Sequence, residues 1–245
     1  MDQRRRILVL LELEMFDQVA DEARRALRQD PGDTEAHRAL AWALWKQTKT
    51  AQAESPARTA LSLAPASPDA HSTLAMICLD LDKLEEAGAH CEAAIALAPT
   101  LPALHTRYGL FCLRVGRWQD ALRETEEALR LAPGNVEALI VHANALLWLG
   151  RLSEAEESAM ALLDSKPNLP DAHHVLGLIY QERDQVDQAL ASFREALRLD
   201  PTNEAHKKAL AGAVEAKLPI VGLLWRGSAS RSRLLVLIYL GSLLA

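Results

Sequence analysis

The sequence predicts an all-α fold, a solenoid of stacked helical hairpins, on three observations. Pro31, Pro65, Pro99, Pro133, Pro167 and Pro201 follow one another at steps of 34 without a slip. Two alanine columns keep the same phase: Ala53, Ala87, Ala121, Ala155 and Ala189 in one, and Ala60, Ala94, Ala128 and Ala196 in the other, where Leu162 is the exception. Hydrophobic residues make up 49% of the chain but aromatics only 4%. A core of that kind is assembled from Ala and Leu, strong helix formers that let backbones approach closely. All-β folds are disfavoured.

Each element follows from the interval between prolines. Residues 1–33 form a worn first unit whose recognisable part is its second helix, with Phe16, Ala23, Ala26 and Pro31. Five full units cover 34–203. In the third of them, Leu104, Tyr108, Phe111 and Cys112 recur at helical spacing, Gly116 and Arg117 form a break, and Ala121, Thr125 and Ala128 mark a second helix. Gly150 occupies the same break one unit later, where a left-handed residue ends the first helix, and Asp82 and Asp184 stand there in other units. The prolines close the second helices, because a ring without an N–H cannot continue them. Residues 204–217 read as one more first helix, acting as a solvating cap. Pro219 breaks it, and 218–245 form a basic, apolar tail.

Two further columns complete the pattern: Leu40, Leu74, Tyr108, His142 and Leu176, each followed by a small residue, Ala41, Ala75, Gly109, Ala143 and Gly177. With these in place the chain resembles the tetratricopeptide-repeat family, whose unit is a 34-residue helix–turn–helix with small residues at the crossings and a closing proline. The clearest copy is 171–201, where Leu176, Gly177, Tyr180, Ala189, Phe193, Ala196 and Pro201 match. The resemblance spans nearly all of the chain up to 217. It implies a right-handed superhelical solenoid that works as an interaction scaffold. The chain departs from the family where Trp is usual, having His37, His71, His105, Leu139 and His173 instead.

Charge and cysteine usage narrow the function. The formal net charge is −6, and basic residues are scattered among acidic ones, so nucleic acid is not an expected partner. Cys78, Cys91 and Cys112 lie in apolar helical stretches, which reads as reduced core thiols and a cytoplasmic location. The N-terminal Arg4, Arg5 and Arg6 precede an apolar run of only five residues, cut by Glu12 and Glu14, which does not make a secretory signal.

No catalytic arrangement is present: there is no Gly-rich phosphate loop, no HExxH and no nucleophile elbow. The paired acids Glu85–Glu86, Glu126–Glu127 and Glu156–Glu157 read as solvated faces. Equivalent histidines in successive units cannot share a metal, because helices pack about 8–10 Å apart and zinc ligands lie about 2 Å from one ion; His142 and the pair His173–His174, from neighbouring units, are the one combination left open. The expectation is a protein that is not an enzyme and needs no cofactor or metal.

In the family, first helices line a concave groove, and the resemblance puts Trp42, Met76, Leu110, Asn144 and Leu178 in one groove row. Trp45, Leu79, Leu113 and Leu147 fall in the next, Arg114 and Trp148 flank it, and Arg38 and His174 lie one turn earlier. An apolar row beyond a completed core calls for a protein or peptide partner, although adjacent first helices could bury Leu110 and Leu147 against each other. Some family members hold a C-terminal carboxylate with a clamp of Lys, Arg and Asn. Arg38 and Arg107 match its basic places, but Trp42, Thr73 and Ala103 stand where Asn, Asn and Lys are expected.

The tail carries Arg226, Arg231 and Arg233, followed by LLVLIYLGSLLA (234–245), which includes Leu234, Leu235, Leu237, Ile238 and Tyr239 and no charge. Twelve residues of helix reach about 18 Å, short of the roughly 30 Å of a hydrocarbon core. The tail is expected to be the start of a membrane segment in a longer chain, with the arginines on the cytoplasmic side, and the alternative function that follows is a membrane-tethered assembly or co-chaperone-like factor whose repeats recruit client proteins. The alternative is that it folds back over the last hairpin as a cap.

Overall fold

The computed structural model describes residues 3–217. The expectations for Arg226, Arg231, Arg233, Leu234, Leu235, Leu237, Ile238 and Tyr239 lie outside the described residues. The described residues form helices throughout: α1 (Gln3–Glu12), α2 (Phe16–Gln29), α3 (Thr34–Lys46), α4 (Thr50–Leu63), α5 (Pro68–Asp80), α6 (Leu84–Leu97), α7 (Pro102–Arg114), α8 (Trp118–Leu131), α9 (Val136–Trp148), α10 (Leu152–Ser165), α11 (Pro170–Glu182), α12 (Val186–Leu199) and α13 (Glu204–Lys217). No described helix is long and apolar enough to cross a membrane.

One backbone device sets the repeat. Glu14, Thr48, Asp82, Gly116, Gly150 and Asp184 all have φ between 54° and 76°, and they stand 34 residues apart. After each, the chain closes the same pair of bonds. In the second hairpin the Thr48 N–H donates to the Trp45 carbonyl and the Lys49 N–H to the Leu44 carbonyl, which satisfies the last carbonyls of α3 in a Schellman arrangement and turns the chain back into α4. First helices begin with a proline at their first turn in α5, α7 and α11, where the missing N–H is not needed. Asp33, Ser67 and Asn135 accept capping bonds from Ala36, Ala70 and Ala138.

The alanine columns sit where helices cross. Ala53, Ala87, Ala121, Ala155 and Ala189 are all buried, as are Ala60, Ala94, Ala128, Leu162 and Ala196. Small residues face large ones there. A Cβ on Gly88 would meet the Phe111 ring at 2.9 Å, and one on Gly177 would meet the Phe193 ring at 2.4 Å. Replacing Ala121 by Leu is expected to cost about 1–3 kcal/mol by overpacking, whereas Gln119→Leu, at an exposed site, stays within about 0.5 kcal/mol. Thermal melts of the two variants check this.

The helices form two compact units, one ending at Ala145 and one beginning at Leu146. In the first unit the first helices touch in series, α1 with α3, α3 with α5 and α5 with α7, whereas α2, α4, α6 and α8 make no such contact with one another. That asymmetry places the first helices on the inner face of the unit and spreads the second helices around its outside. Charged side chains bridge the outer helices instead. Arg58 on α4 contacts both Glu54 and Glu86 on α6, the latter at 2.6 Å, and Lys83 also bonds Glu54. The hydrogen bonds from Lys83 and Arg58 hold the Glu54 carboxyl below its usual pKa, and the bond from Arg58 does the same for Glu86. A carboxylate with a depressed folded pKa contributes stability above the usual carboxylate range and loses it as the pH falls through the folded value. Arg58→Met is therefore expected to cost at most about 1 kcal/mol at neutral pH and to flatten the acid side of a melting-temperature profile taken between about pH 3 and 7.

In the second unit, Ala189, Leu190, Phe193 and Ala213 form a core over which Leu178, Tyr180, Val186, Ala209, Leu210 and Val214 pack. The last described helix, α13, joins that core through Ala213, and its His206 is buried.

Candidate functional site

The inner face of the first unit presents a cluster of aromatic and cationic side chains. Trp42 and Trp45 lie one turn apart on α3, with ring centroids 4.8 Å apart and planes tilted by 53°. The Lys46 ammonium sits 5.2 Å from the Trp42 centroid and 4.9 Å from that of Trp45. From α7, two units along, the Arg107 guanidinium covers the Trp42 ring at 4.8 Å and donates to the Ser72 hydroxyl on α5 at 2.7 Å. The Trp45 indole N–H donates to Asp80 at 2.6 Å, and Arg114 reaches the other oxygen of Asp80 at 3.5 Å. Residues from α3, α5 and α7 thus form one connected patch.

Arg107 is the electrostatic centre of this patch. Among the described residues no carboxylate comes within ion-pair distance of it. Burial pulls its pKa below the usual guanidinium value, while Glu137 and Asp69 act from farther away in the opposite direction. It remains charged. A partly buried guanidinium stacked on an aromatic face, with spare N–H donors, is suited to receive an anion. Arg38, by contrast, is already engaged, making two bonds of 2.7 and 3.0 Å to Glu35 on its own helix.

The other residues expected in the groove are placed variously. Met76 and Leu79 are only 2% exposed, so they form the floor between adjacent first helices and offer no free surface. Leu110 and Leu113 are partly exposed. Asn144 turns its amide back to the Ile140 carbonyl of its own helix at 2.8 Å. In the second unit, Leu147 is buried and Trp148 is 59% exposed. Leu178 packs onto the core around Phe193. The His174 ring lies tilted against Phe193, with centroids 5.6 Å apart, and against His206, 5.0 Å apart, and burial, followed by His206, lowers its pKa. At the start of the first unit a cavity of about 220 Å³ opens between α1 and α3, lined by Ile7, Leu8, Leu11, Ala36 and Ala39 together with Arg4 and Arg38.

The histidine column has a structural role that residue type alone did not reveal. His37, His71, His105 and His173 each place Nε2 at 2.9–3.1 Å from the carbonyl of the closing proline six residues earlier, Pro31, Pro65, Pro99 and Pro167. A carbonyl only accepts, so Nε2 carries the proton and the ring ties the inter-repeat loop to the next helix. In the hairpins of His71 and His105 the other nitrogen, Nδ1, meets the residue nineteen positions on, across the hairpin. In the third unit that is Glu124, at 2.9 Å from His105. In the first it is Pro56, which offers no partner, and His37 Nδ1 is left without one. This spacing of nineteen is visible in the sequence once the column is known.

Cys78, Cys91 and Cys112 are buried and unpaired, and burial pushes their pKa values up to about 11, about 12 and about 11, which suppresses the nucleophilic thiolate. No group of three or more His, Cys, Asp or Glu among the described residues is arranged to hold an ion.

Family models described as tetratricopeptide repeat match residues 5–68, 39–102, 113–179 and 170–203. Among solved structures, the Cut9–Hcn1 hetero-tetramer of the APC/C aligns with 87% of this chain at a TM-score of 0.75 and 18% identity. This chain spans 42% of the length of that one. The thermophilic protein TTC0263 of Thermus thermophilus aligns at 0.68 and 20% identity, over 74% of this chain and 98% of that one. YrrB, described as having an unusual peptide-binding site, aligns at 0.53 and 20% identity, over 78% and 98%. Identities this low establish the fold alone. No curated protein sequence gave a significant match.

Proposed function

The chain belongs to the tetratricopeptide-repeat family, and on that premise we propose that it is a non-enzymatic scaffold that binds a peptide or helix of a partner protein on the inner face of α3, α5 and α7. Repeat scaffolds of this family serve protein–protein interaction. The observation that carries the reading is the Trp42–Trp45 pair with the Arg107 guanidinium lying on it. Large aromatic rings on a rigid helix bury much area for little lost side-chain entropy, which is why such residues anchor interfaces. An unpaired guanidinium beside them selects for a carboxylate. The ligand is accordingly a segment with an aromatic or aliphatic anchor for the tryptophans and an acidic group for Arg107. A reducing, cytoplasmic setting fits the three buried free thiols.

A peptide selected from a displayed library on the immobilised full chain tests the proposal. The Trp42→Ala/Trp45→Ala variant should lose it while keeping its helical circular-dichroism spectrum. Charge reversal on α8, Glu126→Arg/Glu127→Arg, should leave binding unchanged. Loss in the α8 variant alone would contradict the proposal.

A further inference from the structure

The hairpin of α5 and α6 differs from its neighbours at one place. Where the residue nineteen positions after the column residue is Pro56, Glu124, Ser158 or Ser192 in the other full units, here it is His90. The two imidazoles face each other across the hairpin, with His71 Nδ1 3.1 Å from His90 Nδ1 and the ring centroids 5.2 Å apart. His71 Nε2 lies 3.0 Å from the Pro65 carbonyl, so its proton is there and its Nδ1 presents a lone pair. His90 Nε2 lies 3.7 Å from Glu86, a carboxylate already held by Arg58.

No neutral form of His90 suits both neighbours. With its proton on Nδ1, it bonds His71 but turns a lone pair toward the Glu86 carboxylate. With its proton on Nε2, it faces Glu86 correctly, but two Nδ1 lone pairs then oppose each other. An electrophile between the two Nδ1 atoms resolves the conflict.

We propose that His71 and His90 form a two-imidazole site for a divalent transition-metal ion of the Cu²⁺ or Zn²⁺ type, with water completing its coordination. At metal–nitrogen bonds of about 2.0–2.1 Å, a separation of 3.1 Å corresponds to a bite angle of about 100°, between the square-planar and tetrahedral values. Metal-bound histidines characteristically donate their remaining N–H to a carbonyl or carboxylate; the Pro65 carbonyl does this for His71 at 3.0 Å, and Glu86 lies on the matching side of His90 at 3.7 Å, beyond a direct hydrogen bond. Imidazole nitrogen selects Cu²⁺, Ni²⁺ and Zn²⁺ over Ca²⁺ and Mg²⁺. The His90 side chain is 18% exposed, which leaves the ion a way in. A bound ion would cross-link α5 to α6 beside the proposed peptide-binding face and so stabilise that hairpin.

Titration of the full-length chain with Cu²⁺, followed by electron paramagnetic resonance, tests the site. The expected result is one equivalent with two equatorial imidazole nitrogens, at least tenfold weaker binding in His90→Ala, and a metal-dependent rise in melting temperature seen only when His90 is present. His90→Gln keeps a polar side chain in place and should lose the ion equally, which guards against an effect of misfolding in the alanine variant. His206→Ala, which removes a different histidine pair, should bind as the wild type does. Absence of the two-imidazole signal at one equivalent, or its persistence in either His90 variant, would overturn the proposal.

Discussion

Replacing Phe193 by Ala is expected to cost about 3–5 kcal/mol and to lower the melting temperature by roughly 10 °C or more. The ring is fully buried and is the largest member of the core that joins α12 to α11 and α13. Its edge occupies the space a Cβ on Gly177 would take, at 2.4 Å, so ring and glycine are two halves of one fit. The same geometry predicts coupling. Gly177→Ala should destabilise the wild type by overpacking but should be neutral or favourable once Phe193 is Ala. Additive effects in a double-mutant cycle of melting temperatures would show that the two positions do not share this contact.

The second large effect concerns binding. Removal of Trp42 and Trp45 together should weaken a selected peptide by at least about 30-fold, the consequence of losing about 2 kcal/mol or more at an interface hot spot. The loss has two sources. The rings supply the apolar anchor area, and Trp42 also supports Arg107, whose guanidinium stacks on it at 4.8 Å. Arg107→Gln should therefore weaken peptides that carry a carboxylate and leave neutralised versions of the same peptide almost unaffected. Calorimetry on the two peptides distinguishes a charge-reading role from a packing one.

Much of this architecture was legible in the sequence because a repeat states its geometry several times. The proline phase, the alanine columns and the glycines at the break all report local constraints, steric or torsional, that recur at fixed offsets. Gly116 and Gly150 announced the left-handed turn, and the structure extends the same conformation to Glu14 and Thr48. Those residues gave no signal, since neither side chain favours positive φ.

What the sequence concealed depends on contacts between units. Met76 and Leu79 align with Trp42 and Trp45, yet they are buried because α5 has a first helix on both sides. Equivalence in the repeat is therefore not equivalence in exposure. Arg107 matches a carboxylate-binding position in the sequence, but its stacking on Trp42, 65 residues earlier, follows only from how α3, α5 and α7 lie side by side. In the sequence the column histidines stand only as substitutes for Trp. Their hydrogen bonds to the proline carbonyls, and the pairing of His71 with His90, needed the hairpin to be folded before the spacing of nineteen had meaning.

The central claim is that the ligand lies on the first helices of the first unit. Amide hydrogen exchange of the full chain, with and without a peptide selected on it, addresses this directly. The account predicts added protection in α3, α5 and α7, centred on the turns that carry Trp42, Trp45 and Arg107, with α4, α6 and α8 unchanged. Protection confined to the second helices, with α3, α5 and α7 exchanging as they do in the free protein, would contradict it.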